Sequence, residues 1–261
     1  MLMEHDALLA LYDRHERLEA RPVGQRVERG SRTVRHVGPP GEPSWVIWSD
    51  LAGVDADAAI AAEQAYFAAR GQGFEWKHFA HDAPADLLVR LLAAGFAPEE
   101  EEQLMVLDLR SASEGTEHRG DLEVRALGIE GWDDVARVLV AVWPHLADGF
   151  VARFRAEIAA APERVRLFVA YVDATPAAAA WTVDGGGGSP FLALCGGATL
   201  AAYRGRGLYR ALVAARARFA RTAGKRFLTV DAGPMSAPIL ERLGFVRLTT
   251  TTPCVWQPPR S

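Results

Sequence analysis

The sequence predicts an α+β fold built on a mixed sheet, and three observations lead to this class. An apolar strand at 191–195 is followed by a turn with two glycines and then by a helix with one apolar face. A second strand, Phe227–Ala232, leads through a proline break into a short helix that ends at Gly244. The same order of strand, break and short helix occurs earlier, between Phe74 and Phe96, so the chain contains an internal repeat.

The second half of the chain supplies the remaining elements of this fold in order. Amphipathic helices are predicted at 130–143 and 150–160, and strands at 122–125, 166–172 and 177–183. The glycine-rich segment 184–189 joins two antiparallel strands and opens no helix, so we interpret it as a plain loop. The helix after the glycine turn is predicted to carry Arg216, Arg218 and Arg221 on its exposed side.

The turn at 203–209 has the composition of a pyrophosphate site. Glycine lets the backbone approach a ligand closely, and the start of a helix presents amide groups and a positive dipole end to an anion. Arg204, Arg206 and Arg210 add guanidinium groups that suit phosphate. A P-loop is excluded because no Gly-Lys-Ser/Thr occurs in the turn, and a dinucleotide fingerprint is excluded because Arg210 stands where its third glycine would be.

Two motifs in this order resemble those of the GNAT acyltransferase superfamily. Arg204 and Gly207 match motif A, Arg/Gln-x-x-Gly-x-Gly/Ala, although Tyr209 replaces its final glycine or alanine. The stretch 240–245, Leu-Glu-Arg-Leu-Gly-Phe, resembles the superfamily's Tyr-Glu-Lys-Leu-Gly-Phe at the end of motif B. The alternative is an unrelated α/β domain that happens to contain one glycine turn.

The resemblance implies an N-acetyltransferase (EC 2.3.1.-) that uses acetyl-CoA as co-substrate and needs no metal. Such an enzyme would move an acetyl or short acyl group to a primary amine, of a small molecule in our interpretation, by direct attack in a ternary complex. The expected cofactor-binding residues lie at the end of the strand and in the turn: Ala198, Thr199, Arg204, Gly205, Arg206, Gly207, Leu208, Tyr209 and Arg210.

The catalytic residue stays unknown at this level. The superfamily's motif B tyrosine and its neighbouring asparagine correspond to Leu240 and Gly233, which have no side-chain proton to give. His145 is the candidate for proton handling, and a surface loop histidine is the alternative interpretation. Cys195 lies in an apolar strand, so we expect an inert core residue and not an acyl carrier. The lost groups leave open a second function, a CoA-binding regulatory or interaction protein without catalysis.

The N-terminal half is interpreted as a reduced copy of the same domain. Asp82 precedes Gly95-Phe96 by 13 residues, and Asp231 precedes Gly244-Phe245 by the same 13; each aspartate is expected to cap the turn that follows it. The segment 49–55, which corresponds to the cofactor turn, holds two aspartates and no arginine, so it would repel a pyrophosphate. We therefore predict a degenerate domain at 1–112, a polar linker at 111–116 and a catalytic domain at 120–261.

Composition narrows the class of protein further. The chain of 261 residues has a net charge of −4, which gives no support to nucleic-acid binding. Residues 1–21 read as an amphipathic helix and not a signal peptide, and no long uncharged apolar run suggests a membrane segment. Two cysteines do not make a disulfide scaffold, so a cytoplasmic protein is expected; its assembly, a homodimer included, stays open.

Overall fold

A computed structural model describes residues 3–111, 122–147 and 149–259 of the chain. The chain forms two compact units. The first unit comprises Met3–Met105, Asp231–Ala237 and Arg247–Ser261, and the second comprises Val106–Val230 and Pro238–Val246. The predicted division into domains at 1–112 and 120–261 stays a prediction. Of the predicted linker at 111–116, all but Ser111 lies outside the described residues.

The first unit begins with a helix and then forms a sheet whose central strands are buried. Helix α1 (His5–Tyr12) continues as a π-helical segment, Asp13–Leu18, where the sequence predicts one amphipathic helix. The following elements are β1 (Arg26–Arg29), β2 (Thr33–Val37), β3 (Trp45–Ser49), α2 (Ala56–Ala68), β4 (Phe74–Phe79), α3 (Leu87–Ala93), β5 (Ala97–Pro98) and β6 (Glu102–Asp108).

Strand pairing in the first unit is mixed, as predicted for this fold class. Strands β1, β2 and β3 pair antiparallel in that order, and β3 pairs parallel with β4. The last strand of the chain, β12 (Val246–Trp256), pairs antiparallel with β4, where Thr251 lies opposite Phe79. The C-terminal strand therefore completes the sheet of the first unit.

The second unit contains the elements that the sequence predicts for the second half, with nearly the same bounds. They are β7 (Glu123–Leu127), α4 (Trp132–Val142), α5 (Phe150–Ala160), β8 (Val165–Val172), β9 (Thr175–Val183), β10 (Phe191–Thr199), α6 (Leu208–Thr222), β11 (Phe227–Ala232) and α7 (Ala237–Arg242). Strands β7 to β10 pair antiparallel in chain order, and β10 pairs parallel with β11.

Two apolar layers cover the opposite faces of β8 and β9. Leu167 and Val169 pack with α4 and α5, whereas Phe168 and Ala170 pack with α6. Side chains alternate between the faces of a strand, so this alternation places α6 on one side of the sheet and α4 with α5 on the other. Both faces of these strands are thereby covered by helices.

The repeated motif has the same local structure in both copies. Each short helix is followed by a glycine with a left-handed backbone, Gly95 at φ +88° and Gly244 at φ +89°. The next residue, Phe96 or Phe245, is buried in both places. The repeat that the sequence predicts is therefore present as the same sequence of strand, turn, short helix and glycine cap.

Candidate functional site

The turn between β10 and α6 joins two left-handed glycines to the start of a helix. Gly205 and Gly207 have φ values of +77° and +82°, a conformation that other residues adopt only at a cost. Helix α6 begins directly after Gly207, and no side chain of the described residues caps it. The first bond within the helix runs from Ala211 N to Gly207 O at 3.0 Å, so the amides before it have no acceptor inside the helix. This geometry suits an anion.

The charges around this turn are all positive. Arg204, Arg206 and Arg210 are exposed, and the first turn of α6 contains no acidic residue. Among the described residues none of the three guanidinium groups forms an ion pair; Arg206 lies over the ring of Tyr203, at 5.2 Å from the centroid. Exposed arginines beside uncapped amides and a helix N-terminus make a site for phosphate groups.

Strand β10 carries a bulge just before this turn. Its register with β9 shifts between Cys195 and Ala198, and Gly196 has a left-handed φ of +63°. A Cβ on Gly196 would lie 1.7 Å from the Trp181 ring, and one on Gly197 would lie 2.6 Å from the Tyr209 ring. Only glycine fits at these two positions, because an aromatic ring is packed against the backbone at each.

The end of β10 is the other part of the predicted cofactor site. Ala198 is buried, with its side chain in the layer under α4 and α5, and Thr199 is half-buried. Arg204 donates through Nε to the Thr199 carbonyl at 3.5 Å, a long hydrogen bond that links strand and turn. The predicted residues from Ala198 to Arg210 therefore form one continuous stretch of backbone from the bulge to α6.

Strands β10 and β11 separate at the level of the bulge. They pair over residues 191–193 of β10 and 227–229 of β11, near their amino ends. Strand β10 continues to Thr199, and among the described residues no further pair joins the two strands. The backbone of β10 that follows Ala193 is therefore available to a ligand on this side, and Gly197 is exposed.

Arg216 differs from its prediction, which placed it on the exposed side of the helix. Its side chain is 2% exposed, whereas Arg218 and Arg221 are exposed as predicted. The buried guanidinium donates to the carbonyls of Leu212, at 3.2 Å, and Cys195, at 3.4 Å. Burial lowers the pKa of Arg216 to about 10, so this residue keeps its charge at neutral pH. The prediction was wrong because the buried stripe of α6 is wider than its apolar residues indicate.

Cys195 is also placed differently from the sequence expectation. Its thiol forms no disulfide and is only half-buried, because β10 leaves β11 at this level. The other cysteine, Cys254, is buried in the first unit, and burial raises the pKa of its thiol to about 11. The expectation that Cys195 is a core residue was therefore wrong.

The two motif B positions have no side-chain proton. Leu240 is fully buried in α7, where it packs as a core residue. Gly233, in the first unit, accepts hydrogen bonds from the amides of Ser236 and Ala237, both at 3.0 Å, and so begins the turn before α7. Neither residue can protonate a leaving group.

His145 lies in a short 3-10 turn, Pro144–Ala147, between α4 and α5. Its side chain is exposed. The turn joins α4 to α5, and Phe154 of α5 packs against Trp132 of α4 and against Trp181 of β9. This position is consistent with both interpretations of His145, as a proton acceptor and as a surface histidine.

The repeated aspartates have different roles, although the sequence predicts one. Asp82 accepts from the Phe79 amide, three residues before it, at 3.1 Å and from Arg17 at 2.7 and 2.9 Å, so it fixes the end of β4 and not, as expected, the turn that follows it. Asp231 instead pairs with Lys77 within the first unit. Burial alone would lower the pKa of Lys77. The charge of the Asp231 carboxylate and its hydrogen bond act in the opposite direction and prevail, so the pKa of Lys77 is raised. The capping role expected of Asp231 was therefore wrong.

Membrane-spanning helices and metal-ligand clusters are both absent from the described ranges 3–111, 122–147 and 149–259. No helix in them is long and apolar enough to cross a membrane. No group of three or more His, Cys, Asp or Glu side chains in them is placed to hold a metal ion.

Comparison with known families identifies the region that contains this turn. The sequence model of the acetyltransferase (GNAT) family matches residues 132–245. The match runs from the start of α4 to Phe245, the residue after Gly244, and includes the whole β10–α6 turn. No curated protein sequence matches the chain.

Solved structures show the same fold over nearly the whole chain. A GCN5-related N-acetyltransferase from Kribbella flavida has a TM-score of 0.70 at 15% identity, with 98% of this chain and 95% of that chain covered. A conserved protein of unknown function from Staphylococcus epidermidis has a TM-score of 0.68 at 13% identity, with 90% and 95% covered. A tandem GNAT protein from the clavulanic acid biosynthesis pathway has a TM-score of 0.63 at 13% identity, with 94% and 86% covered. The chain therefore has a mixed α+β fold of two GNAT-like domains.

Proposed function

We propose that this protein, which carries a GNAT acetyltransferase domain at residues 132–245, moves an acetyl or other short acyl group from a CoA thioester to a primary amine of a small molecule. The observation that carries the proposal is the uncapped start of α6 behind Gly205 and Gly207, with three exposed arginines and no acid in the first turn. The pyrophosphate of CoA would bind there, held mainly by main-chain amides.

The acyl end would then lie along the freed edge of β10. The proposed contacts are the backbone of Ala198 and Thr199, which follow the bulge and no longer belong to the β10–β11 ladder. A backbone amide aimed at the thioester oxygen would stabilise the negative charge that develops there. The proposed cofactor site thus extends from the start of α6, for the pyrophosphate, to the backbone of Ala198 and Thr199, for the thioester.

The reaction proposed is direct attack by the amine in a ternary complex. The amine nitrogen bonds to the thioester carbon, the carbon–sulfur bond breaks, and CoA leaves as a thiolate. A thiol with a pKa of about 8.5 can leave without a proton donor, so the absence of a tyrosine at Leu240 does not forbid the step. His145 is the proposed proton acceptor for the amine.

Release of free thiol from acetyl-CoA with a panel of primary amines tests the activity. We expect amine-dependent release that saturates in both substrates. Incubation with radiolabelled acetyl-CoA without amine, followed by denaturation, tests the order of events, and we expect no label on Cys195. A stable label, together with an inactive Cys195→Ala variant, would contradict direct attack.

The second candidate is a CoA-binding regulatory or interaction protein that has lost catalysis. Leu240 and Gly233 favour it, because both positions have lost the groups that the superfamily uses. Calorimetry separates the two functions: CoA binding without thiol release for any amine would support this candidate. In either case the proposed location is the cytoplasm, and light scattering would decide between a monomer and a homodimer.

A further inference from the structure

Arg216 is a buried cation without a buried anion. Its side chain is 2% exposed, and its two hydrogen-bond acceptors are neutral carbonyls, those of Leu212 and Cys195. Among the described residues no carboxylate pairs with it. Burial of a charge is costly unless an opposite charge compensates it, and buried arginines therefore usually have a carboxylate or phosphate partner. An anionic ligand would supply this partner.

The pyrophosphate is too far away to be that anion. Arg216 follows Gly207 by nine residues within α6, which corresponds to about 13 Å along a helix. Its side chain reaches back along α6 to the Leu212 carbonyl, five residues after Gly207 or about 7.5 Å along a helix, and its other acceptor, Cys195, lies before the bulge of β10. The guanidinium therefore lies more than one helical turn from the glycine turn, beyond hydrogen-bond reach of a phosphate bound there.

The position of Arg216 corresponds to the acyl end of a bound CoA thioester. With the pyrophosphate at the start of α6, an extended pantetheine arm would run back along β10 toward the level where β10 and β11 pair. Cys195 is two residues beyond the last paired residue, Ala193, and is half-buried. The guanidinium, which donates to the Cys195 carbonyl, thus lies at the level of β10 that the acyl chain would reach.

We propose that Arg216 makes this site specific for acyl-CoA donors whose acyl chain ends in a carboxylate, the monothioesters of short dicarboxylic acids. The inference rests on the proposed CoA binding and defines its acyl group. The guanidinium would bind the terminal carboxylate in a charge-assisted pair, while the amine attacks the thioester carbon, the carbon–sulfur bond breaks and the carboxylate stays unchanged.

The test compares CoA, butyryl-CoA and succinyl-CoA by titration calorimetry, without any amine. Butyryl and succinyl chains have four carbons each and differ in the terminal carboxylate. We expect the wild-type protein to bind succinyl-CoA about tenfold or more tightly than butyryl-CoA, as for a buried charge-assisted pair. In Arg216→Met the ratio should fall to about one, because methionine keeps the stem and loses the charge. Arg218→Met, an exposed position on the same helix, should keep the wild-type ratio.

The outcomes separate this inference from the proposed function. Equal affinities, or tighter binding of butyryl-CoA, in the wild-type protein would overturn the carboxylate preference and leave CoA binding intact. A preference that persists in Arg216→Met would overturn the role of Arg216. No binding of CoA or either thioester would overturn the proposed function itself. If Arg216→Met does not fold, the ratio of the succinyl-CoA and butyryl-CoA affinities in the wild-type protein still tests the carboxylate preference. The charge-retaining Arg216→Lys variant then tests the role of position 216: a preference for succinyl-CoA should remain, and its loss would contradict a role for the charge.

Discussion

The two copies of the domain differ at the start of corresponding helices, which is uncapped in α6 and capped by a side chain in α2. In the second unit, Gly207 precedes α6 and leaves its first turn uncapped by a side chain. In the first unit, Asp55 precedes α2 and accepts from the Ala58 amide at 3.0 Å, so a carboxylate occupies the place that an external anion would take. Gly53, at φ +71°, shows that the turn itself is similar. In the first copy a side chain thus satisfies an amide that in the second copy has no side-chain acceptor.

The charged residues of the two turns differ in the same way, acidic before α2 and basic before α6. Asp50, in the turn before α2, accepts from the Ala52 amide at 3.2 Å, which adds a second carboxylate to the closed site. The turn of the second unit has three exposed arginines and no acid in the first turn of α6. The first copy stabilises its own helix with a carboxylate, whereas the second leaves uncapped the helix start at which we propose that CoA binds.

The largest expected effect is on CoA binding by Gly207→Glu. The variant places a side chain and a negative charge where the phosphates are proposed to bind, and we expect acetyl-CoA to bind at least about 1,000-fold more weakly, or about 4 kcal/mol. Thermal-shift titration measures this. Gly53→Glu is the matched control, since its backbone is also left-handed, and it should bind acetyl-CoA normally. Equal losses of acetyl-CoA affinity in the two variants would mean that backbone strain, and not contact with the phosphates, causes the effect.

The next effect concerns the stability of the folded protein in acid, because a buried group of the first unit changes its protonation there and the buried Arg216 of the second unit does not. In the first unit, burial together with the nearby Arg29 lowers the pKa of His36 from 6.5 to about 4. Arg216 stays charged over the same pH range. Between pH 6.5 and pH 4 the unfolded state then binds more protons than the folded state, so stability falls as the pH falls, by roughly 3 kcal/mol in total.

Urea unfolding of His36→Leu at several pH values tests this. The variant should lose most of the decline that the wild-type protein shows over this range. His145→Leu, which changes an exposed histidine of the second unit, should keep the decline. An unaltered decline in His36→Leu would show that other groups cause it.

A smaller effect is expected when the cap of the first copy is removed. Asp55→Ala should destabilise the protein by about 1 kcal/mol, the usual cost of a lost N-cap, because the Ala58 amide loses its acceptor. Chemical denaturation measures the change, and calorimetry should still find one acetyl-CoA site of unchanged affinity. A second binding site in this variant would mean that the aspartate alone closes the first copy.

The smallest effect on binding is expected at Tyr209, where the superfamily has glycine or alanine. Its ring packs against Gly197 at the bulge, and main-chain amides are proposed to hold the phosphates. Tyr209→Ala should therefore change the acetyl-CoA dissociation constant by less than about threefold, or about 0.6 kcal/mol, in direct competition with a fluorescent CoA analogue. A loss of more than tenfold would show that the ring itself contacts the cofactor.

Local patterns in the sequence predict most elements of this fold. Strand Phe227–Ala232 and helix Phe150–Ala160 have the predicted bounds, because glycine, proline or a change of hydrophobic period marks their ends. The cofactor turn could be located for the same reason, since its glycines and arginines are contiguous. The extension of β10 to Thr199 was missed because the two glycines of the bulge suggest a turn.

Non-local features could not be predicted from spacing. The pairing of β12 with β4 depends on residues more than 150 positions apart, which no local period reports. Burial of charged residues is equally hidden: Arg17 is 1% exposed because it pairs with Asp82, and Arg216 is buried beside the Cys195 carbonyl. A charged side chain is exposed by default, so these positions need the tertiary structure.

The central claim is that only the copy with an uncapped helix start binds CoA. Titration calorimetry of the wild-type protein with acetyl-CoA tests it most directly, through the number of sites per chain. We predict one acetyl-CoA site per chain. Two sites would show that the capped helix of the first copy also binds the cofactor, and none would show that the β10–α6 turn holds no CoA; either result contradicts the account.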